Sequence, residues 1–101
     1  MEKQEIKKVL LRKLVYMGKW GNAHTSFDNL PKGAKKSKIF GTPRNFPRKF
    51  LVGFPKHLRG YVKDIAKELF KEQLLISKPT HYGLEVSLNP KKKSEIEKLI
   101  E

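Results

Sequence analysis

The chain is expected to fold as one α+β domain in which helices pack against a two-stranded antiparallel hairpin. Three observations predict this. Apolar residues recur at spacings of three and four over residues 2–17 and 55–72, as amphipathic helices require. The period then switches to two across residues 74–88, around the turn-forming run Pro79-Thr80-His81-Tyr82-Gly83. Finally, 101 residues, 38% of them hydrophobic, suit a single modest core rather than two.

In the first helix, Ile6, Val9, Leu10, Leu14 and Met17 share a face that Leu11 and Val15 widen. Lys7, Lys8, Arg12 and Lys13 are expected largely off that face, and Gly18 stands where a helix commonly stops. Residues 19–23 place Trp20 between two glycines, a turn that lays an aromatic lid on the core. Thr25 is expected to cap a short second helix, with Asp28 in its positive first turn and Phe27 and Leu30 facing inward. Pro31 and Gly33 then close that helix.

Residues 33–53 differ from everything around them. They carry Lys35, Lys36, Lys38, Arg44, Arg48 and Lys49 with Gly41, Pro43 and Pro47, and they contain no acid. Phe40, Phe46 and Phe50 are interleaved, with Phe54 just beyond. The segment is expected to be an inserted basic loop, with a small hairpin through residues 38–40 and 49–52 as the alternative.

Pro55 suits the first turn of the long helix, whose Leu58, Val62, Ile65, Ala66, Leu69 and Phe70 fall on one side. At about 100° per residue the other side collects Lys56, Gly60, Lys63, Asp64, Lys67 and Lys71, with His57 and Arg59 on its flanks. Residues 74–78 and 84–88 are expected strands, the second strictly alternating. Asn89 and Pro90 can start a terminal helix as cap and first residue, in competition with a capping box at Ser94 and Glu97. Ile96, Leu99 and Ile100 would pack back on the core.

Charge bounds the function. Twenty-three Lys and Arg against ten Asp and Glu give a formal +13, a density that repels itself unless a polyanion supplies the missing negative charge. A Lys-rich thermophile surface would show near balance between the signs, and this chain does not. The absence of cysteine excludes disulfides, thiolate metal sites and a Cys nucleophile, and fits a cytoplasmic protein. No membrane span is expected. His24, His57 and His81 are scattered without zinc-site spacing, Asp28 and Asp64 are isolated, and there is no phosphate-binding glycine loop, so neither catalysis nor a cofactor or metal is expected.

Helix, short helix, long helix, hairpin and terminal helix follow one another in the order of a winged helix-turn-helix domain. The run Leu69-Phe70-Lys71-Glu72-Gln73-Leu74-Leu75-Ile76 resembles the junction between a recognition helix and the first wing strand, and Lys78-Pro79-Thr80-His81-Tyr82-Gly83 resembles a wing tip. Residues 55–90 carry this resemblance to small archaeal-type winged-helix proteins, which extends over the chain apart from residues 33–53. That insertion departs from the family, where the connection between the second and third helices is short. The resemblance implies a third helix lying in the major groove of duplex DNA. Lys56, His57, Arg59 and Lys63 would then reach bases or phosphates, and Lys67 would track the backbone. Gly60 would allow close approach of a phosphate or else mark a local kink. Lys78, His81 and Tyr82 would contact a neighbouring groove, unless Tyr82 packs on its own hairpin.

Such a duplex-DNA binder would be a transcription regulator or chromatin-associated factor. Two rivals stand beside it. The basic loop with its phenylalanines suits RNA or single strands, with Arg44 and Arg48 following the backbone while rings stack on bases. The domain can equally be a protein-interaction module of a nucleoprotein complex, marked by an apolar patch on the first or terminal helix. Monomer and homodimer both remain open, because Leu11, Val15 and Tyr16 can pack internally or across a two-fold axis.

Overall fold

A computed structural model describes residues 2–32 and 53–101 of the chain. Its architecture is α+β: three α-helices and a three-stranded antiparallel sheet. The helices are α1 (Lys3–Tyr16), α2 (Arg59–Lys71) and α3 (Lys93–Leu99), and the strands are β1 (Thr25–Ser26), β2 (Leu75–Thr80) and β3 (Gly83–Leu88). Short 3-10 turns at Phe27–Asn29, Lys56–Leu58 and Pro90–Lys92 lead into or away from these elements.

The apolar stripes of the two long helices meet in one core. Ile6, Leu10, Leu11 and Leu14 of α1 and Val62, Ile65, Ala66 and Leu69 of α2 are buried together with Val86, Leu88, Leu75 and Ile96. Trp20 lies partly buried against this cluster, as expected of a lid. Its residue pairs in parallel with Leu88, whose amide donates to the Lys19 carbonyl at 2.6 Å while its carbonyl accepts from Gly21 at 3.1 Å. Leu99 departs from expectation: α3 is only 7 residues long, and with Ile96 facing inward Leu99 is left 45% exposed.

Both long helices end in the same way. After α1, the Gly18 amide donates to Val15 and the Lys19 amide to Leu14 while Gly18 adopts φ +66. After α2, the Gln73 amide donates to Phe70 and the Leu74 amide to Leu69 while Gln73 adopts φ +64. These are Schellman motifs, which satisfy orphan carbonyls by means of one left-handed residue. The buried pair Leu69 and Leu74 supplies the hydrophobic contact that accompanies the second. The side-chain amide of Asn89 then donates to the Gln73 carbonyl at 2.8 Å, tying the end of α2 to the end of β3.

The hairpin forms where expected, with β2 and β3 paired from Leu75↔Leu88 to Thr80↔Gly83. Pro79 is tolerated inside β2 because that strand is an edge of the sheet order β1-β3-β2. The third strand corrects the sequence reading. Thr25 does not cap a second helix; it pairs with Val86, and Ser26 pairs with Glu85. The cap is one residue later, where the Ser26 hydroxyl accepts from the Asp28 amide at 3.3 Å, and the helix it starts is a single 3-10 turn. Phe27 is partly buried and Leu30 fully so. The long helix is corrected too: Pro55 precedes a 3-10 turn, so Lys56 and His57 lie before the α-helix rather than within it. Asn89 caps the 3-10 turn Pro90–Lys92, its side chain accepting from the Lys91 amide at 3.1 Å, whereas the terminal helix begins only at Lys93, without a side-chain cap from either Asn89 or Ser94.

Lys13 reverses its expected placement. It follows Ile6 by two helical turns and so lies on the apolar stripe, 5% exposed. Its ammonium donates to the carbonyls of Asn29 (3.2 Å), Leu30 (3.1 Å) and Lys32, fastening the 27–32 segment to α1. Next to that anchorage Lys32 bridges antiparallel to Gly53, and the Phe54 amide donates to the Pro31 carbonyl at 2.8 Å. The chain therefore leaves at Lys32 and returns at Gly53 in the same place. Gly33, the alternative hairpin at 38–40 and 49–52, and Phe40, Phe46 and Phe50 lie outside the described residues.

Two stability measurements check these contacts. Lys13→Met removes the donor shared by three carbonyls, of which, among the described residues, only that of Asn29 keeps a second partner in the Lys32 amide, and is expected to lower the unfolding free energy at neutral pH by about 1–3 kcal/mol. Burial pushes the Lys13 ammonium down from 10.5 to about 8. Between those values the unfolded chain holds a proton that the folded chain has lost, so this group's contribution to stability rises with pH across the window. In urea titrations at pH 7 and pH 10, the native protein should gain on Lys13→Met at the higher pH. Gln73→Gly removes a side chain from the left-handed region and should raise stability by about 1 kcal/mol, whereas the same change at Gln4, inside α1, should lower it by a similar amount.

Candidate nucleic-acid interface

The outer side of α2 is set by its own periodicity. Since Val62, Ile65, Ala66 and Leu69 face the core, Gly60, Asp64, Lys67 and Lys71 must face away, and all four are exposed. Lys56 and His57 extend this exposed side from the preceding 3-10 turn. Among the described residues, Lys56, Lys67 and Lys78 form no ion pair.

The two flanks of α2 are occupied differently. On the side of α1, Lys3 meets Glu68 at 2.7 Å and Lys7 meets Glu72 at 2.6 Å. The hydrogen bond from Lys3 holds the Glu68 carboxyl below its ordinary range, and the same contact raises Lys3. On the side of the 27–29 turn, Lys63 donates to Asp28 at 2.8 Å, with its ammonium 5.8 Å from the centre of the Phe27 ring. That bond from Lys63 lowers the Asp28 carboxyl. The Phe27 ring in turn lies 6.0 Å from Phe70. Lys63, expected on the outward side, thus sits on a flank and is engaged with a carboxylate. The pair is open to water, where such bridges contribute at most about 1 kcal/mol, so a phosphate can compete for the ammonium.

Arg59 is also drawn inward. Its Nε donates to the Phe54 carbonyl at 3.3 Å, which braces the turn into α2 against the point where the chain returns at Gly53. This is a positioning contact, and it leaves Lys56 and His57 as the exposed basic groups of that turn. No carboxylate occurs in the sequence between Asp28 and Asp64, and Asp28 is already taken up by Lys63. The end of α2 beside the Lys32–Gly53 stem is therefore the least acidic part of the chain. Lys35, Lys36, Lys38, Arg44, Arg48 and Lys49 belong to the same acid-free stretch and lie outside the described residues.

Gly60 has no internal reason to be glycine. A Cβ there would meet nothing within 4 Å, its φ is not in the left-handed region, and α2 runs through it to Lys71. At the hairpin, Lys78 and His81 are exposed and Tyr82 is 97% exposed, so the ring does not pack on its own strands. Glu85, which faces Lys78 across the hairpin, turns instead towards His24, with 3.8 Å between Glu85 Oε2 and His24 Nδ1.

Sequence reasoning missed Asp28 as the partner of Lys63. Its signal was its place as the last acid before the acid-free stretch. Other chemistries find little to build on. Among the described residues no group of three or more His, Cys, Asp or Glu could hold a metal ion, and no helix is long and apolar enough to cross a membrane. A groove between α1, the end of α2 and α3 has Leu99 at its rim, but Leu11, Leu69 and Leu74 on its floor are at most 2% exposed. That is one exposed leucine rather than an apolar patch.

No protein-family model, curated protein or solved structure matches the chain.

Gly60→Ala separates folding from binding. Alanine should raise the unfolding free energy by up to about 1 kcal/mol, because it restores helix propensity in open space. If the glycine admits a phosphate, the same variant should bind duplex DNA about fivefold more weakly in a fluorescence anisotropy titration. Greater stability with unchanged affinity would remove Gly60 from the interface.

Proposed function

We propose that this chain is a nucleic-acid-binding protein of the winged-helix type that lays α2 in the major groove of duplex DNA and uses the hairpin as a phosphate contact. One observation carries the reading: lysines on the α1 side of α2 are neutralised by Glu68 and Glu72, whereas Lys56, Lys67 and Lys78 have no carboxylate partner among the described residues. Exposed lysines without a carboxylate partner, on a chain of net charge +13, are what a polyanion rewards, through the release of condensed counterions. The element order supports the same reading, with a helix, a short helical turn, a long helix and a hairpin in succession. The helix is about 10–12 Å across with its side chains, which fits a major groove about 12 Å wide.

Within this reading Lys56, His57 and Lys67 contact the duplex directly, and Lys78 and His81 follow a neighbouring phosphate run. Arg59 positions the turn that carries Lys56, while Lys63 exchanges Asp28 for a phosphate. This reading places the chain among transcription regulators or chromatin-associated factors. The acid-free stretch around the stem favours duplex phosphates as a second point of attachment, and the RNA or single-strand alternative rests on that same stretch.

Charge reversals matched in size test the geometry. Lys67→Glu is expected to weaken duplex binding at least fivefold and to flatten the dependence of log affinity on log salt by about 1. Lys3→Glu changes the net charge equally on the far flank and should leave affinity within about threefold. Equal losses would mean that total charge, and not this side of α2, governs binding.

A further inference from the structure

The hairpin tip presents an aromatic ring with nothing to lean on. Tyr82 is 97% exposed in the two-residue link between Thr80 and Gly83. The main chain beneath it is firmly held. The Thr80 hydroxyl donates to the Gly83 carbonyl at 2.8 Å and accepts from the Tyr82 amide at 3.2 Å. Gly83 takes φ +117, where any other L residue would be strained. The position of the ring's attachment is thus fixed while both ring faces stay free.

Burying an aromatic ring is among the largest apolar gains available to a side chain, so a ring held in water on a rigid tip is well placed to receive an external partner. The neighbourhood indicates which. Pro79 and Leu84 lie on one face of the hairpin and Ile76 on the other, so the exposed apolar groups do not join into a patch for a protein. Lys78, on the same hairpin, has no ion pair among the described residues, since its rung partner Glu85 is turned towards His24. An exposed ring and an unpaired cation on one hairpin are complementary to a nucleobase with its phosphate.

Resting on the duplex-binding reading above, we infer that Tyr82 is a stacking platform for the outermost base at a duplex end or at a junction with single strand. Bases inside an intact duplex have both faces covered by their neighbours. Only a terminal or unpaired base offers a face to the ring. With α2 in the groove, the hairpin tip acts as a probe that distinguishes ends and junctions from continuous duplex, which gives the protein a structural preference independent of base sequence.

Two probes decide the matter: a short duplex with a single-stranded tail, carrying 2-aminopurine at the junction, and a relaxed covalently closed circle with no ends. The native protein should bind the tailed duplex about five- to a hundredfold more tightly per site, the range that a base stacked on an aromatic ring supplies, and should quench the 2-aminopurine. Tyr82→Ala should abolish both the preference and the quenching while affinity for the circle stays within twofold. Tyr82→Phe should keep them. Equal loss on both probes, or no loss on either, overturns the stacking role. Failure of the native protein to bind either probe overturns the duplex reading beneath it.

Discussion

The arrangement of this domain depends on how a very short stretch of helix is held in place. The 3-10 turn at Phe27–Asn29 has backbone partners for the carbonyls of Phe27 and Asn29, but the chain that leaves it at Pro31 needs a further donor to hold it against α1. The ammonium of Lys13 collects the carbonyls of Asn29, Leu30 and Lys32 from within the core side of α1. A buried cation is expensive unless it is surrounded by acceptors, and these acceptors are expensive unless they find a donor. Each group makes the other tolerable. The union fixes where β1 meets β3, where Asp28 can receive Lys63, and where the chain returns to start α2.

Periodicity made the larger elements legible in the sequence. Ile6, Leu10 and Leu14 declare α1, Val62, Ile65 and Leu69 declare α2, and the alternation from Leu84 to Leu88 declares β3. What escaped is what periodicity does not encode. A strand of two residues has no alternation to detect, so Thr25 looked like a cap when it is a partner of Val86. Ser87, polar in the alternation yet 4% exposed, shows the outcome, because a central strand is covered from both edges. Lys13 was misplaced because its charge outweighed its register with Ile6. Charge and position gave opposite answers, and position prevailed.

The candidate interface was partly legible for the same reasons. The outward positions of Gly60, Lys67 and Lys71 follow from the angular spacing of α2 alone. Lys63 and Arg59 needed coordinates, because their chemistry is decided by what sits opposite them: Asp28 from a distant turn and the carbonyl of Phe54. The sorting of acids is tertiary information of the same kind. Glu68 and Glu72 face α1 and are used for helix packing, whereas Asp64 stays on the outward side among Gly60, Lys67 and Lys71.

The pairing of Lys32 with Gly53 has an evolutionary meaning. A polypeptide that exits and re-enters a fold through one narrow doorway can lengthen, shorten or change composition between those posts without asking the hydrophobic interior to adapt, since loop closure grows only slowly with length. The same doorway is a natural place to graft a reporter or a foreign epitope, because the ladder bond that closes it belongs to the scaffold and not to the graft.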